Sequence, residues 1–107
     1  MKTIEIKKLG YKFDKELSFK DKSWEEILKL KPKNKEFITK EDVDFIMENE
    51  KLKMALGMNN TWEFIEPYWG YSVARLNADS DGAVLGCDWY PSNSGEGLGV
   101  RFKEKIK

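Results

Sequence analysis

The stretch that decides the fold runs from Tyr71 to Phe102 and reads YSVARLNADSDGAVLGCDWYPSNSGEGLGVRF. Its Asp81-Gly82 dipeptide is typical of a two-residue hairpin turn between antiparallel strands. Around that turn the pattern predicts a strand over 71–76, a return strand over 83–87, a loop over 91–97 and a closing strand over 98–103. This part of the chain is therefore predicted to form a small antiparallel sheet.

Two helix-start motifs precede the predicted sheet. Ser23 and Glu26 have the spacing of a capping box, which predicts a helix from Trp24 to about Lys31, before Pro32. Thr39 begins a weaker motif, because Asp rather than Glu stands three residues later. That motif predicts a second helix from Lys40 to about Asn49. Residues 52–56 suggest a further helical turn, and residues 3–6 alternate as a short strand.

The length and composition fit one α+β domain spanning residues 1–107, with two short helices packed on the sheet. Nineteen basic and nineteen acidic residues cancel. That balance argues against a nucleic-acid partner, because such proteins carry basic surface to neutralise phosphates. Residues 54–100 contain Arg75 as their one basic residue, against six acidic ones. This contrast indicates either two differently exposed halves of one fold or a contact surface in the second half.

The residue types of the chain argue against an enzymatic function. Histidine is absent, so the commonest general base and zinc ligand are missing. Cys87 is the only cysteine and cannot form an internal disulfide. No secretory signal or bilayer-length apolar run is visible, so we expect a cytoplasmic or virion-associated protein without membrane insertion.

Three candidate sites for chemistry have simpler explanations. Residues 77–82 with Asp88 resemble a calcium loop, but a plain hairpin turn explains the same residues, so we predict no metal or other cofactor. Glu63 and Glu66 are interpreted as a solvated pair rather than catalytic carboxylates. Cys87 is interpreted as a small apolar residue of the sheet.

The large aromatic residues of the second half divide into two predicted groups. Trp62 and Trp69 are expected to lie in the core. Trp89 and Tyr90 stand between a strand and a turn, where exposure to a ligand is the favoured hypothesis and partial core burial the alternative.

The same segment resembles the variable region of proteins diversified by diversity-generating retroelements, most closely the small archaeal and archaeal-virus members. The resemblance lies in Ser72 to Arg75, in Asp81-Gly82-Ala83, and in the closing Leu98 to Phe102. It implies a C-type lectin-like fold without catalysis, related to the fold of the formylglycine-generating enzyme. The family's retroelement randomises adenines in the segment and leaves a frame of residues intact.

The resemblance divides the segment into frame and variable positions. The frame would comprise Ala74, Arg75, Ala78, Asp81, Gly82, Ala83, Leu85, Cys87, Pro91, Ser92, Ser94, Leu98, Gly99 and Arg101. The variable, ligand-contacting positions would be Leu76, Asn77, Asp79, Ser80, Val84, Gly86, Asp88, Trp89, Tyr90, Asn93, Gly95, Glu96 and Gly97. The implied function is binding of a protein or cell-surface ligand. The alternative is a small viral or host interaction protein of fixed specificity.

Overall fold

The computed structural model describes residues 2–58, 60–79 and 82–106 of the protein. Within these ranges the strands are β1 (Thr3–Ile6), β2 (Tyr11–Asp14), β3 (Glu36–Phe37), β4 (Thr61–Ile65), β5 (Ala74–Asp79), β6 (Gly82–Gly86), β7 (Gly99–Val100) and β8 (Phe102–Lys105). They form two four-stranded sheets, with the orders β1-β2-β8-β3 and β6-β5-β4-β7. The helices of the same ranges are α1 (Trp24–Leu30), α2 (Lys40–Met47) and α3 (Glu50–Ala55). The α+β class is therefore confirmed.

Both predicted capping boxes are formed, and they explain where α1 and α2 begin. The backbone N–H of Ser23 donates to Glu26 Oε1 at 3.0 Å, and the Glu26 N–H donates to Ser23 Oγ at 3.2 Å. The Ser23 N–H bond to the Glu26 carboxylate, and next the Ser23 side chain, lower the pKa of Glu26. Thr39 and Asp42 make the same exchange at 2.8 and 3.1 Å. The shorter Asp side chain therefore closes the box as well as Glu does.

The number of helices and sheets differs from the prediction. The residues suggested as a single helical turn belong to a third helix, α3, whose cap is Asn49. The single predicted sheet is two sheets, and β4 pairs with β7 in parallel rather than antiparallel. The β5 strand begins at Ala74, three residues later than predicted, because Tyr71 is held in a turn by its N–H bond to the Tyr68 carbonyl.

The predicted closing strand is divided between the two sheets. Its first part, β7, lies in the second sheet, and its last part, β8, lies in the first. Arg101 stands between them and is buried. Lys103 is also buried, with Nζ 2.6 Å from Asp42 Oδ2. Each of these two buried basic side chains is paired with a buried carboxylate, Arg101 with Glu63 and Lys103 with Asp42.

The buried hydrophobic residues in the described part of the chain form two clusters. One contains Val43 and Ile46 of α2 together with the inward face of β5, and the other contains Trp24 and Ile27 of α1 with Val100. These five named side chains are all buried. At roughly 25 cal/mol per Å² of apolar surface removed from water, such burial is the main favourable term in folding.

Candidate ligand-binding face

The outward face of the β5–β6 hairpin is the first part of the candidate site. Along β5, Ala74, Leu76 and Ala78 are buried, whereas the alternate positions point outward. Arg75 lies opposite Gly86, Asn77 opposite Val84, and Asp79 opposite Gly82. The alternation therefore brings expected variable positions of the two strands side by side.

Arg75 is the centre of this face. Its guanidinium carbon lies 4.8 Å from the ring centroid of Trp89 and 5.3 Å from that of Trp62. Its Nη2 is 3.2 Å from Asp88 Oδ1. Contacts of a guanidinium with aromatic faces add about 0.5–1 kcal/mol each at exposed sites. Arg75, an expected frame residue, thus contacts two neighbouring positions that were expected to vary, 88 and 89.

Trp89 is anchored to the scaffold rather than freely exposed. It packs against the second core cluster and meets Trp62 edge-on at a centroid distance of 6.0 Å. Its indole N–H donates to the Asn93 carbonyl at 2.9 Å. A Cβ added at Gly95 would lie 3.4 Å from Trp89 Cζ2. The alternative of partial core burial therefore describes Trp89, while Tyr90 is 72% exposed as favoured.

The loop after Trp89 contributes three further exposed positions of the expected variable set. Asn93, Glu96 and Gly97 are exposed. Gly97 has φ of 75°, and its N–H donates to Asp21 Oδ1 at 2.7 Å. Because a side chain is strained at this φ, position 97 suits glycine and is a poor position for variation.

A polar cleft of about 780 Å³ adjoins this loop. Three expected variable residues, Asn77, Glu96 and Gly97, line it together with Trp62. The opposite wall comes from outside the 71–102 segment, from Lys15, Glu16, Leu17 and Lys20. The sequence did not indicate these wall residues, because nothing local connects the loop after β2 with a loop 80 residues later.

The expected variable residues do not all reach the surface. The prediction that Leu76 contacts a ligand is wrong, because this side chain is fully buried within the first core cluster. Ser80, and the Asp81 of the predicted turn, lie outside the described residues. Those exposed in the structure are Asn77, Asp79, Val84, Asp88, Tyr90, Asn93, Glu96 and Gly97, while Gly86, Trp89 and Gly95 are half-buried.

Trp69 corrects a second expectation. It was expected in the core, yet it is 80% exposed, at a positive φ of 56° and beside the Lys40 ammonium. Its neighbour Tyr68 turns inward instead. Burial, and then contact with Cys87, raise the pKa of Tyr68 to about 12. Trp62, also expected in the core, packs partly against the second cluster.

Glu63 corrects a third expectation, since it is not half of a solvated pair. It is fully buried, whereas Glu66 is exposed. Arg101 donates to both oxygens of Glu63, from Nε at 3.1 Å and from Nη2 at 3.0 Å. Side chains alternate along a strand, so Glu63 could have been predicted to share a face of β4 with Ile65. Its partner Arg101 could not, because it is 38 residues away in sequence.

Of the residues that resemble a calcium loop, 77–79 lie at the end of β5, 82–86 form β6, and Asp88 follows β6. Asp79 Oδ1 accepts the Gly82 N–H at 3.0 Å, and Asp88 pairs with Arg75. Over residues 2–58, 60–79 and 82–106, no group of three acidic, Cys or His side chains is arranged to hold a metal ion. In the same ranges, no helix has the length and apolarity that crossing a bilayer requires.

The arrangement provides a mixed face of aromatic, amide and carboxylate groups around one arginine. Its residues are of the types that give contact area and adaptable hydrogen bonds in binding loops. Comparison with protein-family models, curated proteins and solved structures gives no match.

Proposed function

We propose that this protein is a non-enzymatic binding module, in which a C-type lectin-like scaffold displays diversified side chains to a protein or cell-surface ligand. The observation that carries the proposal is the separation between two sets of side chains in the 71–102 segment. Most of the expected variable positions are exposed, whereas five frame residues are buried: Ala74, Ala78, Leu98, Gly99 and Arg101. The frame residues Ala83, Ser92 and Ser94 are exceptions, because they are exposed. Surface substitutions usually change stability little, whereas buried ones change it strongly.

The position of the exposed set adds support. Asn77 and Val84 are cross-strand neighbours, and Asp88 forms an ion pair with Arg75, two residues before Asn77 on the same strand. Glu96 reaches the same region, since it lines the cleft together with Asn77. Side chains from two strands and one loop can therefore contact one ligand.

A display library tests the proposal. One library randomises Asn77, Asp79, Val84, Asp88, Tyr90 and Glu96, and a matched library randomises the buried Ala74, Ala78, Leu98, Gly99 and Arg101. We expect most members of the first to remain resistant to protease and to yield binders for several unrelated proteins. We expect most members of the second to unfold. Equal unfolding in both libraries would contradict the proposal.

The anchoring of Trp89 favours the second candidate, a module of fixed specificity. Its hydrogen bond to Asn93 and its packing on Trp62 would be lost in most substitutions. The coding sequence distinguishes the two. Diversification requires an adenine-rich near-copy of the codons for residues 71–102 beside a reverse-transcriptase gene, and fixed specificity requires none.

A further inference from the structure

The guanidinium of Arg75 is only partly used by the protein itself. Nη2 donates to Asp88 Oδ1 at 3.2 Å. The Nε–H of the same side chain is buried and has no acceptor among the described residues. The indole N–H of Trp62, whose ring contacts this guanidinium, is also buried without an acceptor there. Buried donors without acceptors are rare because each costs about 1–3 kcal/mol.

Arg101 shows how an arginine of this protein pairs when Nε and Nη2, the two donors along one edge of the guanidinium, both have acceptors. Its Nε and Nη2 donate to the two oxygens of Glu63 at 3.1 and 3.0 Å. This two-bond geometry matches the planar fork of arginine to a carboxylate. Arg75 has the same Nε/Nη2 edge, but Asp88 engages one of the two donors.

The partner of Arg75 is also easily displaced. The Asp88 side chain is 83% exposed, so water competes with its ion pair, which contributes at most about 1 kcal/mol. The guanidinium also contacts two indole rings, and these contacts do not involve Asp88. The nearest outward carboxylate along β5, Asp79, is four residues away, about 13 Å, and is screened beyond a Debye length of about 8 Å.

We propose that the Nε/Nη2 edge of Arg75 is a carboxylate-binding site. Asp88 occupies it at Nη2 alone, and a carboxylate of the ligand displaces Asp88 and bonds both Nη2 and the Nε–H, which is buried while Asp88 is in place. The ligand chemistry is an Asp or Glu side chain or a C-terminal carboxylate, each of which offers two oxygens in one plane. This inference rests on the proposed function, since it names the ligand group that the variable face receives. It makes Arg75 a fixed anchor, and position 88 a variable regulator of access to it.

The test is a titration of the isotope-labelled protein with sodium acetate, at ionic strength kept constant with sodium chloride. The indole N–H resonances of Trp62 and Trp89 report on the site. In Asp88→Asn the competing charge is gone, so we expect saturable shifts of both signals and affinity about tenfold tighter than in the wild type. Asp88→Asn combined with Arg75→Met should lose these shifts.

Two further variants test whether binding requires the planar guanidinium of Arg75 in particular. Asp88→Asn with Arg75→Lys keeps the charge without the planar edge, and should bind acetate about tenfold more weakly than Asp88→Asn alone. Asp88→Asn with Lys40→Met removes a different cation that lies beside an indole ring, that of Trp69, and should bind like Asp88→Asn. Far-ultraviolet circular dichroism confirms that each variant is folded.

Saturable shifts that persist without Arg75, or no saturable shift in Asp88→Asn, would overturn the carboxylate site. The display libraries keep this outcome separate from the proposed function, because the first library leaves Arg75 in place and scores binding to whole proteins. Binders from that library together with no acetate binding would refute the anchor alone. Acetate binding without binders would refute the proposed function and leave the site intact.

Discussion

Arg75 and Arg101 lie in the same segment and both pair with a carboxylate, but their surroundings differ. Arg101 and Glu63 are 1% and 0% exposed as side chains, and two bonds join them. Arg75 is 21% exposed, and one bond joins it to an Asp88 that is 83% exposed. The Arg101 pair lies where β7 leads into β8, and the Arg75 pair lies on the outer face.

The difference shows that burial, rather than residue type, decides what an ion pair does. A buried pair has been removed from water, so loss of one member leaves an uncompensated charge. Arg101 also donates from Nη1 to the Asp14 carbonyl at 2.8 Å, which ties β2 to the junction between the sheets. The exposed pair contributes little to stability, and its members remain available to other groups.

The largest effect should come from breaking the buried pair. Glu63→Gln leaves Arg101 charged and buried, and we expect the free energy of unfolding to fall by about 3–5 kcal/mol. Urea denaturation followed by Trp fluorescence measures it. The double variant Glu63→Leu with Arg101→Met should recover much of the loss, since apolar replacement of a whole buried pair is often tolerated. A loss below about 1 kcal/mol in Glu63→Gln would show that this pair behaves like the exposed one.

The next effect separates adjacent positions of β5. Leu76→Ala should reduce the free energy of unfolding by about 2–5 kcal/mol, because it opens a cavity in the first core cluster. Asn77→Ala, on the outward face, should change it by less than about 0.5 kcal/mol. Equal losses in urea denaturation would show that the two faces of β5 are not energetically distinct.

A smaller effect is expected at two glycines of the segment. A Cβ at Gly99 would lie 2.8 Å from the Ser18 backbone carbonyl, so Gly99→Ala should cost about 1–3 kcal/mol. At Gly86 the nearest atom is Asp88 Oδ1 at 3.3 Å, on an exposed side chain that can move. Gly86→Ala should therefore be nearly neutral, and thermal melts of the two variants compare them directly. The reverse order would place Gly86, not Gly99, in the frame.

The smallest effect should come from the exposed pair. Asp88→Asn is expected to change the free energy of unfolding by less than about 1 kcal/mol. Urea denaturation at low and at high sodium chloride concentration measures it, and any difference from the wild type should shrink as salt screens the pair. A loss close to that of Glu63→Gln would mean that Asp88 is a structural residue and not a displaceable one.

Much of the fold could be predicted where it depends on neighbours in sequence. Ser23 and Thr39 begin helices because their side chains bond amides three residues later. The hairpin between β5 and β6 was predicted from Asp81-Gly82, although its strands begin and end at slightly different residues. The division of the closing strand was missed because it depends on Arg101, whose burial requires Glu63 from another strand.

Less of the candidate site could be predicted from the sequence, because it too depends on contacts between residues that are distant in the chain. The pattern of β5 could have excluded Leu76, since Ala74, Leu76 and Ala78 alternate with polar residues. Trp69 and Trp89 could not be assigned from residue type, because a large aromatic ring fits the core and a binding surface equally well. The sequence identifies Arg75 as the single basic residue of 54–100, but it does not place Arg75 at the centre of the outward face.

By itself the sequence determined the α+β class, the helix starts and the hairpin, because capping, alternation and turn geometry act over a few residues. Only the tertiary structure decided which carboxylates are buried, which tryptophans are exposed and which loop faces the cleft. Those outcomes depend on contacts such as Glu63 with Arg101 and Trp62 with Trp89, whose partners are far apart in the chain. Burial then sets whether the same chemical group stabilises the fold or remains available to bind.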